Sequence, residues 1–398
     1  MDFTTYFVCG HFTHLALFKG MSNFLRLYFP HLNQKLILLD NPHLDLIDHS
    51  DFTSGYDEVL ELKYCETAQT SNWANTLAIK NVRKRVEDVS KLLDQLSEIK
   101  FNEPSMFLFT DLTDTSLSSR LLLKKIRSEN KRVQIFRAGI ARDIHKKYTS
   151  WGLMWFLTNI YGLLGAPMVK VSMDGHIISN RKFYKESKYF DGFIVYSNEW
   201  STRKDFIQLK YPIIDGFSKL EKNKKPYILF AGHALGPTSQ FGEITKESYI
   251  ETTNQILSVL SDCYLNQDVQ LYYKPHPRED TIHFDLAGFE VLKEPMTSEM
   301  LFARDRTSIK AAYSVASNSS ATAALMGINS YSLYKLYQYP DVLIERANRR
   351  YEFSAVKKPA NMQELRNSSI EGRALSKYDE SDVGHLKAII EKIVADVS

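Results

Sequence analysis

The sequence predicts an α/β chain of two Rossmann-like units facing each other across a cleft, and three observations lead there. Short apolar runs of strand length alternate with helical patterns, and such alternation builds βαβ units on a mostly parallel sheet. A polar, lysine-rich stretch at 213–226 interrupts the pattern, which then restarts. The chain has 398 residues, more than one ordinary core holds, and suits two units of about 200 residues each. The expected units are 1–215 and 216–398.

In the first unit, strand signals fall at 6–9, 35–39, 58–62, 106–110, 133–136 and 193–196. The clearest helix among them carries Ile79, Val82, Val86, Val89, Leu92, Leu93 and Leu96 on one face and charges on the other. The second unit opens with a strand at 227–231 and a loop bounded by Gly232 and Gly236. A helix at about 246–264, a strand at 269–273 and a short strand near 289–292 follow. A helix from Thr297, a strand at 312–316 and a helix at 320–326 come next. The last helix, 383–397, is placed to pack back across the interface. Two such units with a cleft describe a GT-B-like architecture.

Apolar residues make up 44% and charged residues 24%, a globular balance, and 17 Gly with 12 Pro leave little room for disorder. A net charge of +3 suits an anionic small ligand or an anionic membrane surface and is far from a nucleic-acid footprint. Cys9, Cys65 and Cys263 are scattered, so neither a disulfide framework nor a zinc site is expected. The N-terminus lacks the basic region of a signal peptide. Residues 151–169 are the most apolar stretch, but Thr158, Asn159 and Gly165-Ala166-Pro167 interrupt it. A buried helix pair is expected there, with an interfacial anchor beside Arg181, Lys182, Lys185 and Lys188 as the alternative. The expected location is the cytoplasm, with peripheral contact at the inner face of the membrane.

The most informative stretch is Lys274-Pro275-His276-Pro277, at the end of an apolar run. Pro277 cannot continue a ladder and Pro275 holds Lys274 extended, so a Lys and a His are delivered to a sheet edge where open α/β sheets bind ligands. Three further features follow the same logic, each with an ordinary structural alternative. Ser319 or Ser320, within Ser317-Asn318-Ser319-Ser320-Ala321-Thr322, caps a helix or offers hydroxyls to a phosphate at its positive end. Glu299 accepts hydrogen bonds from a ribose or completes a capping arrangement. Gly232 and His233 form a plain βα turn or let the backbone approach a nucleotide. Together these residues suit a nucleotide-phosphate pocket without a metal. Lys274, the helix dipole and proton donation from His276 would neutralise a leaving phosphate. Asp111 and Asp114 have the wrong spacing for an Asp-x-Asp metal site.

With His276-Pro277 and Ser319-Ser320 in this order, the chain resembles the bacterial sialyltransferases of the GT-B type. These are the lipooligosaccharide sialyltransferases, the capsular polysialyltransferases and their multifunctional relatives. The resemblance covers about 226–327. It implies transfer of a nonulosonic acid from a CMP-sugar to an oligosaccharide acceptor. His276 would then be the general acid toward the CMP phosphate, the serines would hold that phosphate, and Glu299 would bind the ribose. Those families also carry an acidic pair followed by Gly at the end of an N-domain strand. Here Arg137 and Ala138 precede Gly139, and alanine cannot act as a base.

Asp143, Asp111 and Asp114 are the substitute base candidates, each also a fitting turn or cap residue. The remaining options are that Arg137 binds an anionic group or that the chain binds without catalysing. Gly10-His11-Phe12-Thr13-His14 ends the first strand and is a candidate acceptor contact. The expected activity is sialyl transfer, with a GT-B enzyme for another nucleotide sugar or a non-catalytic nucleotide- or glycan-binding protein as alternatives.

Overall fold

The apolar run near the start of the chain becomes strand β1 (Thr4–Cys9), buried at all six positions as a strand covered on both faces must be. The structure is a computed structural model. It describes residues 3–10, 14–39, 48–63, 79–110, 117–140, 190–196, 206–209, 224–233, 244–276, 279, 282–351, 354–370 and 380–397. After β1 come α1 (Leu15–Tyr28), β2 (Asn33–Leu39), α2 (Ser50–Thr53), β3 (Glu58–Leu62) and α3 (Ile79–Glu98). Then follow β4 (Ser105–Thr110), α4 (Leu117–Glu129), β5 (Val133–Ile140), β6 (Gly192–Tyr196) and β7 (Phe206–Leu209). The seven strands form one parallel sheet in the order β3-β2-β1-β4-β5-β6-β7. Side-chain alternation splits β1 between two cores. Tyr6 and Val8 share one with Val89, Leu92 and Leu96 of α3, while Phe7 and Cys9 share the other with Leu15 and Phe18 of α1.

The second sheet begins at β8 (Tyr227–Ala231), followed by α5 (Lys246–Tyr264), β9 (Gln270–Lys274), β10 (Glu290–Val291) and α6 (Ser298–Arg304). Next are β11 (Ile309–Ser314), α7 (Asn318–Leu325), β12 (Asn329–Ser332), α8 (Asp341–Arg350), α9 (Met362–Ile370) and α10 (Glu380–Val397). Its five parallel strands run β10-β9-β8-β11-β12. The strand order therefore reverses between β1 and β4 in one sheet and between β8 and β11 in the other. Such switch points open a crevice at the carboxyl ends of the strands.

Several elements differ from expectation for physical reasons. β12 was not legible because Ser330 and Ser332 replace apolar residues. Their buried hydroxyls donate to Ser320 O (2.7 Å) and Val315 O (3.0 Å). α7 starts at Asn318, two residues early, because Ser317 is its cap. β5 runs on to Ile140, so Arg137, Ala138 and Gly139 lie inside the strand. The lysine-rich break at 213–226 is described from Lys224 onward, and Lys224 is held firmly. Its Nζ meets Glu294 at 2.7 Å and the fully buried Asp305 at 3.1 Å. Asp305 also accepts Arg304 Nε and Nη2 (2.6 and 2.7 Å) and the Tyr227 hydroxyl (2.8 Å). Burial pushes the Asp305 carboxyl up, but these donors outweigh it and hold it below its usual range.

The two sheets share one core. Met300, Leu301 and Phe302 of α6 cluster with Phe7, Phe18 and Leu108, α1 packs on α6, and Asp48 N donates to Pro295 O at 2.6 Å. From the far end of the chain, α10 lies against β4 and β5. It buries Leu386 and Ile390 completely and sets Lys387 Nζ 3.6 Å from the centroid of the Tyr28 ring. Among the described residues no helix is long and apolar enough to cross a membrane. The stretch 151–169 and the basic residues after it lie outside the described residues. Leu386→Ala is expected to lower the unfolding free energy by roughly 2–5 kcal/mol, read from urea denaturation. A loss below about 0.5 kcal/mol, the range of surface substitutions, would show that α10 is not docked as described.

Candidate functional site

Register places the carboxyl ends of three neighbouring strands level. Ala231 of β8 pairs with Lys274 of β9 on one side and with Ser314 of β11 on the other. The chain thus leaves the sheet at one height as Gly232-His233, Pro275-His276 and Val315-Ala316-Ser317. The His233 and His276 rings lie 6.5 Å apart at 67°. Burial, then the charges of His276 and Arg350, pushes the His233 imidazole down to about 4, so it is neutral at neutral pH.

What holds His276 in place is a half-buried carboxylate. Tyr273 donates its hydroxyl to Glu279, 2.7 Å from Oε1 and 2.6 Å from Oε2. Glu279 Oε2 accepts the His276 N–H at 3.1 Å, and the Glu279 N–H returns a bond to His276 O at 2.8 Å. Burial pushes the Glu279 carboxyl above its ordinary range. Gly232 lies directly over this arrangement. A Cβ there would stand 2.3 Å from Tyr273 Oη and 2.7 Å from Glu279 Oε2. Its lack of a side chain is therefore required by its own neighbours.

At the third strand end, Ser317 caps α7, its Oγ accepting the Ser319 N–H at 3.2 Å. Neither Ser319 nor Ser320 is the cap, in contrast to expectation. The Ser320 hydroxyl shares a 2.5 Å hydrogen bond with Ser314 Oγ and donates to Tyr331 O at 3.1 Å, pinning the helix to the sheet. Ser319, one position earlier and 4% exposed, makes no such bond to the sheet. From outside the turn, Arg350 Nη1 donates to Ala316 O and the Tyr351 hydroxyl donates to Ser317 O at 2.8 Å.

Lys274 and Glu299 act on each other electrostatically. Lys274 Nζ donates to Glu294 O at 2.9 Å. Burial lowers its pKa, against the opposing pull of Glu294 and Glu299. Glu299 is buried in the first turn of α6, bonded by its own N–H and by the Thr297 hydroxyl. Burial pushes its carboxyl up to about 7, with these bonds and Lys274 acting the other way.

Pro277, Asp111, Asp114, Asp143 and His11 lie outside the described residues. Within β5, Arg137 pairs with Phe109, and Ala138 is 1% exposed in the shared core. Among the described residues no three His, Cys, Asp or Glu side chains gather as a metal would require. Sequence reasoning missed Glu279, Arg350 and Tyr351 as parts of this edge. A basic residue in the last turn of a helix is the ordinary response to the helix dipole, so Arg350 carried no distinguishing signal.

No family model and no curated protein matches the sequence. Among solved structures, a Listeria monocytogenes protein assigned as a UDP-N-acetylglucosamine 2-epimerase aligns with a TM-score of 0.50 at 11% identity, covering 98% of this chain and 96% of that one. The UDP-GlcNAc 2-epimerase of Methanocaldococcus jannaschii aligns with a TM-score of 0.49 at 11% identity, covering 98% and 100%. The UDP-glucosyltransferase of Polygonum tinctorium aligns at 0.46 and 12%, covering 99% of each. The Listeria likeness supports the two-unit GT-B-like fold, and at such identity it speaks to the fold alone.

Two outcomes follow from the edge. Gly232→Ala is expected to cost about 1–3 kcal/mol by overpacking. It should also shift the imidazole resonances of His233 and His276 in NMR spectra of histidine-labelled protein, and unchanged resonances would refute the contact. Glu299 keeps its proton in the folded state up to about pH 7, whereas the unfolded chain releases it near 4.5, so this carboxyl subtracts stability as pH rises between those values. Glu299→Gln is expected to remove that decline, on the order of 3 kcal/mol by pH 8, in urea unfolding at pH 5 and 8. Parallel declines in parent and variant would show that the carboxyl is not buried.

Proposed function

We propose that this chain transfers a nonulosonic acid, sialic acid or a close relative, from a CMP-activated donor to a hydroxyl of a cell-surface glycan such as lipooligosaccharide or capsule. The observation that carries the reading is the convergence of His233, His276 and the first turn of α7 at the carboxyl edge of the second sheet. In this reading residues 216–398 hold the donor and 1–215 present the acceptor. The donor phosphate lies against the first turn of α7, where Ser319 and the helix dipole favour an anion. No metal is needed, because those groups and the imidazole meet the charge that develops.

The bond between the anomeric carbon and the phosphate oxygen breaks with its electron pair left on CMP. His276 donates a proton to that phosphate as the acceptor oxygen bonds to the anomeric carbon. The proton of the acceptor hydroxyl passes to a carboxylate, for which Asp111, Asp114 and Asp143 are the candidates. His233, neutral at neutral pH, adds hydrogen-bonding capacity without competing for the proton. The work is placed in the cytoplasm, with 151–188 as the candidate contact to the inner face of the membrane. A second reading, nucleotide binding without chemistry, draws support from Arg137 and the buried Ala138 within β5, where neither residue can accept a proton.

Incubation with CMP-Neu5Ac and lactose should release CMP and yield a sialylated product. His276→Ala is expected to slow turnover about 100-fold or more, as loss of a general acid does. A rate within about threefold of the parent would remove His276 from that role. One of Asp111→Asn, Asp114→Asn and Asp143→Asn should abolish turnover, and survival of activity in all three would exclude them as bases. CMP binding without any turnover by the parent would favour the second reading.

A further inference from the structure

We propose that the first unit binds one internal water molecule where β1, β2, α1 and the turn ahead of β3 meet, held by Thr5, Gln34 and Tyr56. The inference is independent of the donor reading. It concerns the starts of β1 and β2 rather than the carboxyl edge of the second sheet.

Thr5 and Gln34 are register partners on neighbouring parallel strands, so their side chains leave the sheet on one face. That face is covered by α1, because Ser22 of that helix donates its hydroxyl to Gln34 Oε1 at 2.6 Å. Phe7, two residues after Thr5 and on the same face, sets its ring centroid 5.5 Å from that of Tyr56. Ser22 also acts on the Tyr56 phenol. Three polar atoms are thereby brought together: Thr5 Oγ1, Gln34 Nε2 and Tyr56 Oη. All three are buried, and none has a hydrogen-bond partner among the described residues. Thr5 and Gln34 are each 0% exposed as whole residues.

A buried polar group without a partner is costly, and folded proteins nearly always supply one. These three atoms do not bond one another, so a partner common to them is a small group between them. Its chemistry follows from theirs. Gln34 Nε2 only donates, whereas the Thr5 and Tyr56 hydroxyls both donate and accept. Burial pushes the Tyr56 phenol far above its ordinary range, so it stays a neutral hydroxyl. A cation is unsuited to the Nε2 donor and to the Lys19 ammonium, whose Nζ lies 5.5 Å from the centroid of the Tyr56 ring. An anion is opposed by Asp57, whose Oδ2 accepts the Gln34 N–H at 2.7 Å. A water meets the pattern by accepting from Gln34 Nε2 and Tyr56 Oη and donating to Thr5 Oγ1. Those are about three bonds, the usual number for an internal water. It joins the turn ahead of β3 to β1 and β2, beside the 2.6 Å ion pair of Arg26 and Asp57 that ties the same turn to α1.

The test uses the full chain and water itself as the probe. A crystal structure that places solvent should show one oxygen within about 3 Å of all three atoms. In solution, protein labelled with ¹⁵N-glutamine should give a rotating-frame Overhauser effect between water and the Gln34 side-chain amide. Thr5→Val combined with Tyr56→Phe removes two of the three partners and leaves the bond between Ser22 and Gln34 intact. That variant is expected to lose both the oxygen and the Overhauser effect, since an internal water needs at least two polar partners. Persistence of both in the folded variant would overturn the assignment. The parent measurements decide the matter even if the variant fails to fold. Direct bonds among the three side chains, or no water contact at the Gln34 amide of the parent, would overturn the inference. A halide in that place, identified by anomalous scattering from crystals grown with bromide, would overturn the neutral ligand as well.

Discussion

The Tyr273 hydroxyl and the Glu279 carboxylate meet where the side chain of residue 232 would otherwise stand, and the histidine-bearing edge depends on that contact. Parallel register brings Ala231 and Lys274 level, but it does not decide how the chain turns after the strands end. Glu279 decides it for His276, by accepting the His276 N–H and donating its own N–H to His276 O. Gly232 allows the arrangement because any Cβ would overlap the phenol oxygen at 2.3 Å. One half-buried carboxylate thus fixes one histidine directly and constrains the strand end that carries the other. An unsatisfied carboxylate in such a position would be costly, so the bonds it accepts from the Tyr273 hydroxyl and the His276 N–H are part of the same requirement.

Around that edge many of the polar residues brace the fold. Ser320, Ser330 and Ser332 are consumed in joining α7, β11 and β12, and Ser317 is consumed as a cap. Glu299 lies in the first turn of α6 and Lys274 Nζ bonds Glu294 O just ahead of it, close to where Pro295 accepts a bond from Asp48 of the first unit. Lys224, Tyr227 and Arg304 converge on Asp305 at the other end of that helix. At the switch point the strand ends carry two imidazoles and lead into the first turn of α7 with Ser319.

Much of the fold was legible from periodicity. β1, β2, β3, β4 and β6 coincide within two residues with apolar runs; β1, buried on both faces, reads as a continuous hydrophobic stretch, while the edge strand β3 is exposed at three of its five positions. β12 was not legible, since Ser330 and Ser332 satisfy its interior by hydrogen bonding rather than by apolar burial. Nor was the true length of β5, because Arg137 and Gly139 interrupt the apolar run that a window along the chain detects. In the site, His276, His233 and the serine-rich turn were found by their position after strands. The serines' separate bonds were not, since a hydroxyl that caps a helix and one that pins it to a sheet have the same letter.

By itself the sequence determined the α/β class, the two-unit organisation and the histidines at a sheet edge, because those follow from local periodicity and from proline and glycine acting on adjacent residues. Only the tertiary structure decided which charges serve that edge. It turned Lys274 toward Glu294 and Glu299, gave Gly232 to Tyr273 and Glu279, and brought Arg350 beside His233. Each of these outcomes depends on which strand ends lie next to one another, and that is set by strand order and register across long separations in the chain.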